Sequence, residues 1–254
     1  MTNCISHSGE EGRLQRLQHA FGLPRQIAIE SSTRYASLAL SAGGKILRYI
    51  PLDRQSRPAA TITVALAELL VQAREQSEEP IRVVAVTDGP GSFTGLRVGV
   101  TTAKTLAYAL GCKLVAVDSL ACMVSILFVA NPDAKAVTVA LNAYRGQLFI
   151  ATWTRDQWQI TNDCTGDFST QSRVVDEADW IAIVQSSSSG HVLGAEPSIA
   201  TKFDPGRVVE VVPTAIEVAL LGDVIARHGI FVTPMELLPR YLRESAAEEK
   251  QKQK

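Results

Sequence analysis

The stretch 81-IRVVAVTDGPGSFTGLRVGVTTAKTLAYALGCKLVAVDSL-120 decides the fold. Ile81 to Thr87 are β-branched and apolar almost throughout, as in a strand covered on both faces of a parallel sheet. Asp88-Gly89-Pro90-Gly91 then breaks regular structure, because glycine tolerates positive φ and proline has no N–H to give a ladder. From Thr94 to Leu110 the pattern is helical, and a second buried strand follows before Leu120. Within the helix, Gly95, Gly99, Ala103 and Ala107 recur every fourth residue and place very small side chains along one face. A second helix can approach such a face closely, which makes it a candidate partner interface. Leu96, Val100, Leu106 and Leu110 supply the apolar stripe that holds the helix on its own sheet. Glycine in a helix interior costs roughly 0.5–1 kcal/mol relative to alanine, and close packing is the compensation expected at Gly99.

The turn fits neither of two enzyme templates. A phosphate-binding loop of the Walker A type needs Gly-Lys-Ser/Thr after four intervening residues, yet Gly95 is followed by Leu96-Arg97. A nucleophile elbow needs Gly-x-Ser-x-Gly, and Pro90 stands at its first glycine, before Ser92. Ser92 and Thr94 read instead as caps for the helix. Anion binding at the helix start, helped by Arg97 and Lys104, is the alternative.

Upstream, 26-QIAIESSTRYASLALSAGGKILRYI-50 predicts a strand, a tight turn at Ser31-Ser32-Thr33, a second strand, a Gly43-Gly44 hairpin and a third strand. The run 59–76 predicts a helix with two apolar faces: Ile62, Ala65, Leu66, Leu69 and Ala73 on one, Val64, Ala67 and Val71 on another. Two faces need two partners. One is the sheet; the other is either a subunit interface or packed within the same lobe. Residues 1–24 are polar, with Leu14, Leu17 and Phe21 as one weak helical stripe. Disorder is the reading taken, with docking on a partner or on the chain's own fold as the alternative. Downstream, 119–130 is helical and 136–153 gives two strands around Asn142-Ala143-Tyr144-Arg145-Gly146, repeating the opening of the first lobe. A helix from Val174 to Gln185, further strands near His191 and Val208, and a helix from Thr214 to Arg227 complete the second lobe.

The chain has 254 residues, 46% apolar and 20% charged, with 25 basic against 26 acidic side chains. That is enough for one large domain or two lobes, with no overall attraction for nucleic acid or anionic membrane. Cys4, Cys112, Cys122 and Cys164 form no CxxC pair, so neither a metal nor a disulfide framework is expected. With no signal-peptide pattern and no membrane-length apolar run, the chain reads as cytoplasmic with reduced thiols.

The run Gly89-Pro90-Gly91-Ser92-Phe93-Thr94-Gly95-Leu96-Arg97-Val98-Gly99, with Ala103-Lys104 and Leu114 to Leu120, resembles the bacterial tRNA threonylcarbamoyladenosine biosynthesis proteins of the TsaB (YeaZ) family. The ending Pro239-Arg240-Tyr241-Leu242-Arg243 resembles that family's Pro-x-Tyr-Leu-Arg. The resemblance implies an α/β, two-lobed actin-like ATPase fold (ASKHA, ribonuclease H-like) with mixed sheets flanked by helices. It divides the chain into an extension (1–24), an N-terminal lobe (25–118), a C-terminal lobe (119–238) and a flexible charged tail (239–254).

In active members of that superfamily an Asp on the first turn stands near nucleotide phosphates. Here Glu30 holds the position, followed by Ser31, Ser32 and Thr33, which are candidates either for phosphate binding or for satisfying turn backbone groups. In the second lobe Asn142 and Gln147 stand where the family carries Asp and Glu, and amides cannot supply the charge that holds Mg²⁺ near phosphates. The catalytic relative TsaD uses a His-x-x-x-His pair; His7, His19, His191 and His228 are not so spaced, and no metal site is expected.

The resemblance therefore implies a non-catalytic subunit with no cofactor of its own, ATP or ADP being placed at most at a shared interface. Its partners would be a TsaD-like catalytic paralogue, a TsaE-like ATPase, and tRNA through the complex. The reaction supported would be threonylcarbamoyl transfer to adenosine 37 of ANN-decoding tRNAs. The alternatives are a stand-alone ATP-dependent enzyme or glycoprotease-like peptidase, and a homodimer when the chain is alone.

Overall fold

The computed structural model describes residues 24–53, 58–165, 167–168, 171–204 and 206–242. The extension, apart from Pro24, lies outside the described residues. The first sheet holds β1 (Gln26–Glu30), β2 (Ser37–Ala42), β3 (Lys45–Pro51), β4 (Val83–Gly89) and β5 (Lys113–Asp118) in the order β3-β2-β1-β4-β5. β1, β2 and β3 form an antiparallel meander, and β4 and β5 run parallel to β1. The second sheet holds β6 (Ala136–Tyr144), β7 (Gln147–Thr154), β8 (Arg173–Asp176), β9 (His191–Ala195) and β10 (Val208–Glu210) in the order β8-β7-β6-β9-β10. Its pairing senses repeat those of the first sheet strand for strand. The duplication read from the two strand-turn-strand openings is thus a duplication of the whole five-stranded topology.

Period-2 burial places the helices. On the first sheet, Ile27, Ile29, Leu38, Leu40, Val84 and Val86 face one side. There they meet α1 (Pro58–Gln76) through Ile62, Ala65 and Leu69, and α2 (Phe93–Leu110) through Val100, Ala103 and Leu106. Ala28, Ala39, Val83, Ala85 and Val117 face the other side and join a core that runs through both lobes. That core is bridged by α3 (Ser119–Ala130), which follows β5 and packs on β6, and by α7 (Ala215–Arg227), which follows β10 and packs on β1 and β2. α3 is apolar on nearly every side because it is covered on nearly every side. The outer face of the second sheet is covered by α5 (Glu177–Ser186) and α6 (Pro197–Phe203) through Trp180, Val184, Ile199 and Ala200.

One local reading shifts. The helix expected from Val174 starts at Glu177, because Val174 and Val175 pair with Phe149 and Leu148 of β7. After Trp153 the chain forms α4 (Arg155–Ile160), opened by a Thr154/Gln157 capping box, and Trp158 packs edge-on against Trp153 at 5.5 Å between ring centroids.

Candidate functional site at the glycine-rich turn

The glycines of 89–99 are spent on a close approach within the chain. A Cβ on Gly91 would lie 2.3 Å from the Ser32 carbonyl oxygen, and one on Gly95 would lie 2.0 Å from the Ser31 carbonyl oxygen. On Gly99 it would lie 2.0 Å from Ser31 Oγ. The missing side chains let the β1–β2 turn lie on the start of α2, where Ser92 N donates to Ser32 O (2.6 Å) and Ser31 Oγ donates to Gly95 O (2.9 Å). Ser92 caps the helix, accepting from Gly95 N, and Gly111 ends it in the left-handed region at φ 66°.

The expected partner groove is therefore filled from inside. Gly95, Gly99, Ala103 and Ala107 are all buried against the chain's own turn and sheet. Small side chains on a helix show that something packs closely there without showing whether it comes from another chain. Gly99→Leu consequently acts on folding: it is expected to destabilise the isolated chain by about 2–3 kcal/mol through overpacking, read as a lowered urea midpoint. An unchanged midpoint would contradict this packing.

Glu30 points into the core. It is fully buried, and its Oε1 accepts from Ser32 N (2.7 Å) and Ser32 Oγ (2.6 Å). Burial pushes its carboxyl above the usual range, opposed by hydrogen bonds from Ser32 and Thr87. Ser31 and Ser32 are likewise buried and used internally, while Thr33 Oγ1 accepts from Tyr35 N (3.1 Å). Of the two readings of this turn, the internal one describes most of its geometry: Glu30 Oε1 and the three hydroxyls serve the turn and the helix start, while Glu30 Oε2 is buried with no hydrogen-bond partner among the described residues. No group of three or more metal-ligating side chains forms among the described residues.

Beside this turn lies a charge cluster that pattern reading passed over. Asp88 and Asp118 end the parallel neighbours β4 and β5. Arg240, from the chain's C-terminal stretch, forms an ion pair with Asp118, reaches Asp88 Oδ2 (3.6 Å) and donates to the Gly89 carbonyl (2.6 Å). Asp118 also accepts from Ala121 N (2.8 Å), capping α3, and from Ser172 Oγ (2.7 Å). Tyr241 stacks on Phe93 (4.7 Å between centroids) and accepts from Arg97 Nε (3.1 Å), whose guanidinium lies over the Phe93 ring. The tail expected to be flexible from 239 is thus pinned at Arg240 and Tyr241; residues 243–254 lie outside the described residues. Arg97 is engaged by this contact, and Thr94 is exposed on the helix surface. The signal that could have found the cluster was two aspartates closing adjacent buried strands, an arrangement that calls for a cation.

Burial, reinforced by Asp118 and opposed by Arg240, pushes Asp88 up to about 7. The folded chain therefore keeps a proton that the unfolded chain has already released above about pH 4, and stability drops as pH rises from there to about 7. Asp223, pushed up to about 6 by burial, acts in the same direction over a narrower range. Asp88→Asn is expected to flatten the fall in urea midpoint between pH 5 and pH 7.5 without removing it. A profile parallel to that of the unsubstituted chain would exclude Asp88 as a source.

The matching turn of the second lobe also serves itself. Asn142 Oδ1 accepts from Tyr144 N (2.6 Å), and Gln147 donates to Asp176 (3.2 Å). His191 pairs with Thr138 Oγ1 (2.8 Å), and His228 Nδ1 pairs with Val224 O (2.9 Å) at the end of α7.

The second face of α1 stays open. Val64 is 71% exposed and Val71 56%, with Ala67 exposed between them. The alternative in which these side chains pack within the lobe does not hold. A cavity of about 400 Å³ adjoins this face, lined by Ile50, Leu52, Thr61, Val64, Ala65 and Glu68 among others.

Two repeated five-stranded sheets joined through α3 and α7 make this a two-lobed α/β protein of the actin-like ATPase class. Residues 50–176, half of the chain, match the family model described as "TsaD: tRNA N6-adenosine threonylcarbamoyltransferase". The tRNA threonylcarbamoyladenosine biosynthesis protein TsaB of Bacillus subtilis is 28% identical over 69% of this chain and 76% of its own length. That of Escherichia coli is 24% identical over 88% and 96%. Among solved structures, YeaZ from Pseudomonas aeruginosa superposes with a TM-score of 0.62 at 20% identity, over 85% of this chain and all of that one. The chain belongs to the family that this family model describes and is similar to the TsaB (YeaZ) proteins. Among the described residues, no helix is long and apolar enough to cross a membrane.

Proposed function

We propose that this chain serves tRNA threonylcarbamoyladenosine biosynthesis as a non-catalytic subunit. It binds and supports a TsaD-like catalytic paralogue in threonylcarbamoyl transfer to adenosine 37 of ANN-decoding tRNAs, in an assembly joined by a TsaE-like ATPase. The observation that carries the reading is the internal use of the polar groups at the glycine-rich turn: Glu30 folds back on Ser32, and Asp88 and Asp118 are taken up by Arg240. A lobe whose carboxylates are committed in this way contributes surface rather than chemistry, and the open face at Val64, Ala67 and Val71 supplies that surface. The names carried by the relatives support the pathway. In this reading ATP or ADP belongs at a shared interface, and RNA reaches the chain through the complex.

The test is reconstitution with the catalytic paralogue, the ATPase, tRNA, ATP and a preformed activated threonylcarbamoyl donor, followed by nucleoside analysis. Omitting this chain is expected to abolish the modified nucleoside, while the chain alone gives no heat on titration with ATP and Mg²⁺. Full modification without it would overturn the proposal.

A further inference from the structure

A second cavity, of about 420 Å³, lies where α1 and α2 end, and its size suits a small-molecule ligand. Leu70, Ala73, Ile81 and Leu110 give it an apolar floor, and Leu110 is 38% exposed, so the floor is open to a visitor. Arg25, the residue before β1, also lines it, although only 4% of that side chain's residue is exposed. Its Nη1 donates to the carbonyls of Ser77 and Glu79 (3.0 Å each). Its Nη2 is buried with no hydrogen-bond partner, and no carboxylate among the described residues forms an ion pair with it. A buried guanidinium without a counter-charge is costly, and an unmet donor adds to the cost. The groove therefore calls for a guest with an anionic acceptor at one end and apolar bulk at the other.

The surroundings restrict that guest to a single negative charge. α1 and α2 both bring their C-terminal ends here, where the last carbonyls concentrate partial negative charge, and Glu78 and Glu79 stand on the rim. A phosphate dianion meets this repulsion twice over, whereas one carboxylate can accept from Arg25 Nη2 in a charge-assisted hydrogen bond. The loop against the guanidinium, Ser77 to Pro80, is exposed at every residue and belongs to no helix or strand, so it can part for a head group at small cost. We propose that this groove binds a small aliphatic monocarboxylate. The carboxylate pairs with Arg25, Arg74 on the rim is the second cation, and the chain of the ligand covers Leu70, Ala73, Ile81 and Leu110.

The test uses the full chain without any partner protein, so its outcome is independent of the function proposed above, and takes hexanoate as the probe. Titration followed by methyl NMR is expected to shift the resonances of Leu70, Ala73, Ile81 and Leu110 together, with a Kd below about 1 mM. Hexanamide keeps the chain and an acceptor without the charge, and inorganic phosphate keeps charge without the chain; each is expected to bind at least about tenfold more weakly. Leu110→Glu, which sets a charge on the partly exposed floor, is expected to weaken hexanoate about tenfold. Arg25→Gln, which removes the cation, is expected to do the same. Because Arg25→Gln also gives up the bonds to Ser77 and Glu79 and can unfold the chain, Leu110→Glu decides the matter if it does. Hexanamide or phosphate bound as tightly as hexanoate, shifts scattered over other methyl groups, no shift by about 10 mM hexanoate, or an affinity indifferent to Leu110→Glu would overturn the proposal.

Discussion

Arg240→Ala is expected to cost about 3 kcal/mol of folding stability, because removing one partner strands a buried charge rather than merely deleting a contact. The side chain of Asp118 is 2% exposed and that of Asp88 18%, so water replaces the guanidinium poorly at the first and only partly at the second. The substitution also frees the Gly89 carbonyl and loosens Tyr241 from Phe93. Arg240→Lys should recover only part of the loss, since a compact ammonium cannot stand beside both aspartates and the Gly89 carbonyl at once as the wider guanidinium does. Denaturation in urea at pH 8 measures the cost, and at pH 5.5 the cost shrinks as the raised carboxyl at Asp88 takes up a proton. In Asp118→Asn/Arg240→Ala the combined effect falls short of the sum, because no charge is left stranded at Asp118. Additive losses, or a cost below about 1 kcal/mol, would mean that Arg240 is held loosely.

How much of this was legible beforehand follows from how local each signal is. The meander of β1 to β3, the strand-turn-helix-strand run and the duplication could be read because β-branched runs, glycine pairs and helical spacing act over neighbouring residues. The helical face at Gly95 and Gly99 was read correctly as a place of close approach, but its occupant was not. What packs there is Ser31, 64 residues from Gly95 in sequence, and spacing along one helix carries no information about the far partner. Arg240 was invisible for the same reason, standing 122 residues from Asp118 in an ending whose charge suggested solvent. Glu30 was found as a carboxyl in the right place. Its inward turn depends on Ser32 two residues on, a local hydrogen bond that sequence permits without requiring.

Val64→Lys with Val71→Lys is expected to weaken binding of the catalytic paralogue roughly thirtyfold or more, the consequence of about 2 kcal/mol lost at a desolvated contact. Folding should barely change, within about 0.5 kcal/mol. Lysine is a good helix former, and the two introduced ammonium groups would each stand four residues before a glutamate, Glu68 for the first and Glu75 for the second, a spacing that favours ion pairs along one helix face. Glu68 already pairs with Arg48 (3.2 Å) on this surface, which shows that a charge is tolerated there in the free chain. The prediction separates association from folding in a way that no substitution at Gly95 or Gly99 can, because those side-chain positions face Ser31. Calorimetric titration of the doubly substituted chain with the catalytic paralogue, beside its urea midpoint, gives both readings from one preparation. Affinity unchanged with the midpoint unchanged would move the interface off α1, and the exposed valines would then need another explanation. Affinity lost with the midpoint unchanged would assign the open face of α1 to the partner, as a lobe whose own carboxylates are committed inward would require.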